Sequence, residues 1–311
     1  MRFEDGLNAL IPHVSQVSEI ANYLILEAYD FARLDDFTAA TGSLVAALRT
    51  VNSLGTEPLL ASQLLRTVAH QRIVRAISLM VADGNFSSAD LASLQSELEQ
   101  TDFHEGTKLA LWGERVVAIE AIRDPLNMDP QRGSKNGVLA RAEDFLVSFD
   151  TPPRMLKYLP FSEHGIATAT LPLAEGLQII GDMPRIQGSF PDDPVLQLFA
   201  NPDPALAAIR AEARATIVNQ LGIVAVALAR YRLEHKSLPA TLDNLVPTYL
   251  ADGPIDPAMQ RPFLYTIDDR ELMLGSLWRD PDATVDPISG GDAKCVLRWE
   301  ITSPDRVSEG P

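Results

Sequence analysis

The residues best suited to chemistry lie together near the C-terminal end. The run Arg279-Asp280-Pro281-Asp282-Ala283-Thr284-Val285-Asp286-Pro287-Ile288-Ser289-Gly290-Gly291-Asp292 sets four carboxylates and two hydroxyls on one loop. Calcium is a hard cation that takes about six to eight oxygen ligands, so carboxylates gathered on one loop are the right raw material for it. The spacing is not that of an EF-hand. Counted from Asp280, position six is Val285 where that motif needs glycine, and position twelve is Gly291 where it needs glutamate. A solvated acidic loop would have the same composition.

A second candidate is the charge carried by the segment 56–82, which is otherwise apolar: Glu57, Arg66, His70, Arg72 and Arg75. A groove among helices could use Arg66 and Arg72 to hold an anionic group, and a solvated helix face would be spelled the same way. The five histidines, His13, His70, His104, His164 and His235, stand singly, with no second histidine at the helical spacing of a metal pair. His104-Glu105 is the nearest to an acid/base pair, but adjacent helical residues do not face each other. No nucleophile elbow, phosphate-binding loop or dinucleotide fingerprint occurs. Cys295 is the single cysteine, which excludes an intramolecular disulfide and a thiolate zinc site.

Composition narrows the partners. Acidic residues number 42 against 26 basic ones, for a net charge of −16 over 311 residues. Nucleic-acid binding rests on lysine and arginine neutralising phosphates, and no basic cluster exists to do it. An anionic membrane surface would repel the chain for the same reason. The stretch Ala215 to Ala229 is uncharged but contains Thr216, Asn219, Gln220 and Gly222. It falls short of the roughly 20 apolar residues of a membrane span and reads as a buried helix. Met1-Arg2-Phe3-Glu4-Asp5-Gly6 does not open an apolar leader.

The elements that would position these residues are mostly helices. Ile20, Leu24, Ala28, Phe31 and Leu34 follow helical spacing, as do Leu44, Ala47, Leu48, Val51 and Leu54 beyond a break at Asp35-Asp36. Thr56-Glu57-Pro58 opens a helix to Ala82, with proline in its first turn, and Asp83-Gly84-Asn85 ends it. Ser87 and Asp90 cap a short helix to Gln100, and another covers Lys108 to Arg123. Such helices on short turns pack as antiparallel neighbours, which makes residues 1–123 a helical-hairpin array. Ala28-Tyr29 and Asp36-Phe37 give it a faint tetratricopeptide look, without a fixed period.

Residues 124–202 read as a proline-rich connector, with short helices at Val138–Phe149 and Leu171–Ile180, whose Leu156, Tyr158, Leu159 and Phe161 want burial. Asp203-Pro204 then starts the longest helix, to about Lys236, with one apolar stripe through Leu206, Ile209, Ala213, Ile217, Leu221, Val224, Leu228 and Tyr231. Strands follow at Arg261–Ile267, Glu271–Leu277 and Lys294–Ile301. The last alternates with Cys295, Leu297, Trp299 and Ile301 on one face, the face expected to pack on the long helix. Residues 302–311 read as a disordered polar tail. The fold class expected is mainly α, an array followed by an α+β module at 203–301.

The order of motifs in that module carries a resemblance. Ala229 to Pro239 ends a helix and turns; Leu245-Val246-Pro247, Tyr249-Leu250, Pro254-Ile255-Asp256-Pro257, Pro262-Phe263-Leu264-Tyr265 and Leu274-Gly275-Ser276-Leu277 follow, with Asp292 to Trp299 last. This resembles the globular head of type II secretion major pseudopilins, over a third of the chain. The resemblance implies calcium in the loop, with Asp282, Ser289 and Asp292 as ligands and Asp280 and Asp286 as alternates. The chain departs from the family in lacking its very apolar N-terminal helix before Asp203. A filament subunit is therefore not expected. The function expected is a non-enzymatic interaction or scaffold protein of a bacterial cell envelope, extracytoplasmic and tied to a secretion or pilus-like machine, with a protein partner and an anchor outside this chain. The alternative is a carboxylate-based hydrolase with its site between the domains, or a cytoplasmic location.

Overall fold

Local capping signals fix where most helices begin. The Asp36 carboxylate accepts the Ala39 N–H at 3.0 Å and opens α2 (Phe37–Asn52), after α1 (Pro12–Arg33) has ended at Asp35 with a positive φ of 58°. Ser87 and Asp90 close a reciprocal capping box at the head of α4 (Ser88–Glu99). Between them runs α3 (Leu60–Asp83), and α5 (His104–Arg123) follows. A computed structural model describes residues 12–123, 138–182, 193, 196–197, 203–267, 271–279 and 294–300. In it the chain is mainly helical, with a small antiparallel C-terminal region, as the sequence predicts.

Three expectations are corrected. Pro58 does not sit in the first turn of α3, because the helix starts at Leu60, where Glu114 of α5 accepts the Leu60 N–H at 3.3 Å and supplies the cap. The prolines of the connector do not break it into short helices. α6 (Val138–Ala169) runs through Pro152, Pro153 and Pro160, and α7 (Leu173–Asp182) follows. A proline inside a helix costs about 3 kcal/mol. Packing offsets it here: Tyr158, 2% exposed, lies against Ala118 and Ile122 of α5 with Met155 and Phe161 beside it, while Leu156 points out, 75% exposed. In α1 the buried positions are Val14, Ala21 and Ala28, whereas Ile20, and Leu34 just past the helix end, of the expected apolar stripe are exposed.

Asp203 caps α8 (Pro204–His235) by accepting the Ala205 N–H at 2.9 Å, and Lys236 ends it at φ 58°. Its length of 32 residues equals that of α6. Among the described residues α8 is the one helix long and apolar enough to cross a membrane by length and composition, with 83% of its most apolar window buried inside the protein. That burial is what a core helix shows. Beyond it come β1 (Ile255–Asp256) paired with β2 (Arg261–Pro262), then β3 (Leu264–Ile267), β4 (Glu271–Arg279) and β5 (Lys294–Glu300) in an antiparallel sheet of order β3-β4-β5. Its register sets Leu264 opposite Gly275 and Leu272 opposite Trp299. Asp256, buried at the end of β1, accepts the Ser276 hydroxyl of β4 and so ties the two sheets. The side chains of Cys295, Leu297 and Trp299, the face expected to pack on the long helix, lie outside the described residues.

The chain forms two compact units, neither of them a continuous stretch. The first is Met1–Val14, Thr56–Leu64 and His104–Ala211; the second is Ser15–Gly55, Leu65–Phe103 and Glu212–Pro311. In the first, Leu111, Ile166, Ile180, Ala205 and Ile209 make a core. Gly113 is needed there, since a Cβ would stand 1.7 Å from the Pro58 carbonyl oxygen. In the second, Leu44, Leu48, Ile73, Ile77, Leu94, Leu98, Ile217 and Leu221 are fully buried. Gly222 brings α8 against α3, where a Cβ would meet Val74 at 2.6 Å.

Candidate interaction groove

The part of α3 that belongs to the second unit is buried on nearly every side. Ala69, His70, Ile73, Val74, Ala76, Ile77 and Met80 are all inside, and what is left exposed is a single line, Val68, Arg72, Arg75 and Leu79. Steps of four, three and four place these side chains above one another along one helix face. With Asn22, Ile25, Leu26 and Tyr29 of α1, and Gln71 and Ala76, they line a groove of about 580 Å³. Three aliphatic side chains stay wet: Leu26 is 60% exposed, Val68 49% and Leu79 45%. Arg72 and Arg75 carry the only charges among the ten lining residues, in a chain of net charge −16. Burial raises the Tyr29 phenol above its ordinary pKa, opposed by the nearby Arg75 guanidinium, so Tyr29 stays a hydrogen-bond donor at neutral pH.

Arg66 and His70, singled out with Arg72 and Arg75 on the same helix, have a different fate. Arg66 is 4% exposed; its Nη2 donates to Asn52 Oδ1 at 3.1 Å and to the Asp102 carbonyl at 2.7 Å, and its guanidinium lies 4.7 Å from the centre of the Phe103 ring. His70 is completely buried. Asn219 donates its Nδ2–H to the Leu98 carbonyl at 3.0 Å, which leaves its Oδ1 to accept from His70 Nε2 at 2.9 Å. That assigns the ring proton to Nε2. Burial, opposed by the bond to Asn219 and aided by the Arg66 charge, takes the His70 pKa down to about 4. Arg66 serves neither a groove nor a solvated face and instead ties α3 to the end of α2 and to the turn before α5. Glu57 precedes α3 and accepts from His13 at 2.8 Å.

The first unit holds a partly open cavity of about 70 Å³, whose polar lining includes Glu114, Tyr158, His164 and Asp203 among apolar neighbours such as Leu111 and Ile180. Burial raises both carboxyl pKa values, opposed at Glu114 by the Leu60 N–H and at Asp203 by the Leu206 and Ala205 N–H groups. It also drives the Tyr158 phenol up, further aided by Glu114 and Asp203. Each carboxyl holds a helix N-terminus, Glu114 that of α3 and Asp203 that of α8. The volume admits a few waters or a very small molecule.

Among the described residues no group of three or more histidine, cysteine, aspartate or glutamate side chains could hold a metal. Asp280, Asp282, Asp286, Ser289 and Asp292 lie outside the described residues. The histidines are dispersed: His13 on Glu57, His70 in the core, His164 at the cavity, and His235 stacked on Tyr231 at 4.0 Å. Of the residues singled out from sequence, the structure brings Arg72 and Arg75 together with apolar side chains and separates them from Arg66, His70 and Glu57. Val68, Leu79, Leu26, Glu114, Tyr158 and Asp203 were missed as site residues. The spacing 68-72-75-79 was a readable signal, but only once the other faces of α3 are known to be covered. Comparison of the chain with profiles of protein families, with characterised proteins and with solved structures yields no match.

Proposed function

We propose that this protein is a non-enzymatic interaction or scaffold protein whose working surface is the groove between α1 and α3, which takes a helical segment of a partner protein. The observation that carries the reading is the groove itself: exposed leucine and valine around two guanidinium groups, on an element otherwise buried. Apolar side chains held in water around a fixed charge are costly unless covered part of the time. The setting proposed is a bacterial cell envelope, beside a secretion or pilus-like machine. Its support is the motif order in residues 203–301, compatible with a long helix followed by small antiparallel sheets. Calcium at Asp282, Ser289 and Asp292 belongs to the same proposal. It predicts a melting temperature that rises with millimolar Ca²⁺ beyond the effect of NaCl at equal ionic strength, and little with Mg²⁺.

The groove is tested by selecting helical peptides from a displayed library on the purified protein. The expected result is an enriched family whose binding is lost in Val68→Ser/Leu79→Ser, a change that leaves the melting temperature within a few degrees. No enriched family, or one indifferent to that variant, would overturn the reading. A second reading, an enzyme acting with carboxyls, draws on the cavity of Glu114, Tyr158 and Asp203, where acids of raised pKa sit in apolar surroundings. Its volume of about 70 Å³ is well below the roughly 300–1,000 Å³ of most ligand pockets. Turnover of a small ester or amide abolished by Glu114→Gln would favour it.

A further inference from the structure

Arg66 and His70 stand one turn apart on the buried face of α3, and their polar atoms are not all met. Among the described residues Arg66 Nε and Nη1 and His70 Nδ1 are buried without a hydrogen-bond partner. Native interiors leave few such atoms, and each calls for an explanation. Nη2 alone attaches the guanidinium, to Asn52 Oδ1 and the Asp102 carbonyl, and Asn52 Nδ2 donates onward to Thr101 Oγ1 at 3.0 Å. The Phe103 ring touches both side chains, beneath the Arg66 guanidinium and edge-on to the His70 ring at 5.0 Å. One cation therefore closes the corner where residues 52–55 and 101–103 meet α3.

We infer that Arg66 and His70 form an acid-released latch: a proton on His70 Nδ1 drives the Arg66 guanidinium off Asn52 and Asp102, and the corner at 52–55 and 101–103 opens before the rest of the unit. The proton goes to Nδ1 because Nε2–H is already committed to Asn219 Oδ1. Once there it meets no acceptor. From other elements the ring is faced by Asn219 of α8 and by Phe103, both neutral, and the charge acting on it is that of Arg66. The exposed Asp102 carboxylate acts on Arg66, and Glu97 of α4 is held by Arg49 of α2. Two like charges in a water-poor interior repel far more strongly than in solvent. Arg66 yields because its long side chain reaches water by rotating, whereas His70 is completely buried. Opening lets water reach Nδ1, so the proton favours the open corner. With a pKa of about 4 when closed against 6.5 in water, His70 promotes opening as pH falls through 6.5, and the effect saturates near pH 4.

The experiment is hydrogen exchange of the full chain read by mass spectrometry at pH 7 and pH 5, corrected for the intrinsic pH dependence of exchange. Protection of 52–55 and 101–103 should fall about tenfold or more at pH 5, while the amides around Ile73, Ile77, Ile217 and Leu221 keep theirs. His70→Gln, which retains a donor for Asn219, should show no such fall. Imidazole ¹⁵N shifts read the coupling: the His70 midpoint should rise in Arg66→Met, because the neighbouring cation is gone. Unchanged protection at pH 5, an equal fall in His70→Gln, a fall spread evenly over α3 and α8, or a His70 midpoint unmoved by Arg66→Met would each overturn the latch. If His70→Gln melts early, the wild type decides. Protonation of His70 and exposure of the corner must then share one midpoint, and separate midpoints would overturn the proposal.

Discussion

The cavity of the first unit and the groove of the second are both walled by helices, and both mix apolar side chains with ionisable ones. They differ in how far the apolar side chains around the ionisable groups are covered. Around the cavity, Glu114 accepts the Leu60 N–H and Asp203 the Ala205 and Leu206 N–H groups, so each carboxyl completes a helix that would otherwise begin with bare donors. Along the groove, Arg72 and Arg75 stand among Leu26, Val68 and Leu79, which remain exposed. A polar group that closes a structural need explains its own presence. Aliphatic side chains left wet around Arg72 and Arg75 have no such structural account.

The comparison can be broken by substitution, and core changes give the largest effects. Leu221→Asp puts an unpaired carboxylate at a fully buried position of the second unit. It should cost several kcal/mol and abolish a cooperative melt of that unit by calorimetry. Groove changes such as Val68→Ser/Leu79→Ser should move stability by only about 0.5 kcal/mol per site. If the groove variants destabilised as much as Leu221→Asp, the groove would be a structural seam.

The buried face of α3 gives the next effect, through pH. The His70 pKa is about 4 folded against 6.5 for the free side chain, so the unfolded chain takes up this proton first as pH falls. The stability tied to neutral His70 is complete above about pH 6.5 and is lost between there and pH 4, by about 3 kcal/mol. His70→Gln keeps a donor for Asn219 and removes the titration. Denaturant melts across that window should fall more steeply for the wild type than for the variant. Parallel curves would show that His70 is not the neutral, Asn219-bonded group described here.

A smaller effect belongs to the cavity. Asp203→Ala removes the N-cap of α8 and should cost about 1 kcal/mol, whereas Asp203→Asn keeps an acceptor for the Ala205 N–H and should cost little. Burial already disfavours the charge at this site. Equal losses in the two variants would mean that the charge, and with it a binding role for the cavity, had been underestimated.

These regions were not equally legible in the sequence. Helix starts at Asp36, Ser87-Asp90 and Asp203 could be read because a cap is satisfied within three residues of itself. The strand at 294–300 could be read from alternation, whereas the two-residue β1 could not be read at all. The passage of α6 through Pro152, Pro153 and Pro160 could not, because what holds it is Tyr158 packed on α5. The groove was half legible. Arg66, His70, Arg72 and Arg75 look alike along the chain, and which of them face water depends on what α2, α4 and α8 cover. The cavity was not legible, since Glu114, Tyr158 and Asp203 are far apart in sequence and meet only through packing.

The most direct test of the central claim is hydroxyl-radical footprinting of the full chain with and without a library-selected helical peptide, read residue by residue by mass spectrometry. Leu26, Tyr29, Val68 and Leu79 should lose reactivity on binding, while Tyr23 on α1 and Trp112 on α5, both exposed and outside the groove, should not change. Protection confined to Phe161, Leu206 and their neighbours around the cavity, with the groove residues unchanged, would contradict it and move the working site to the first unit.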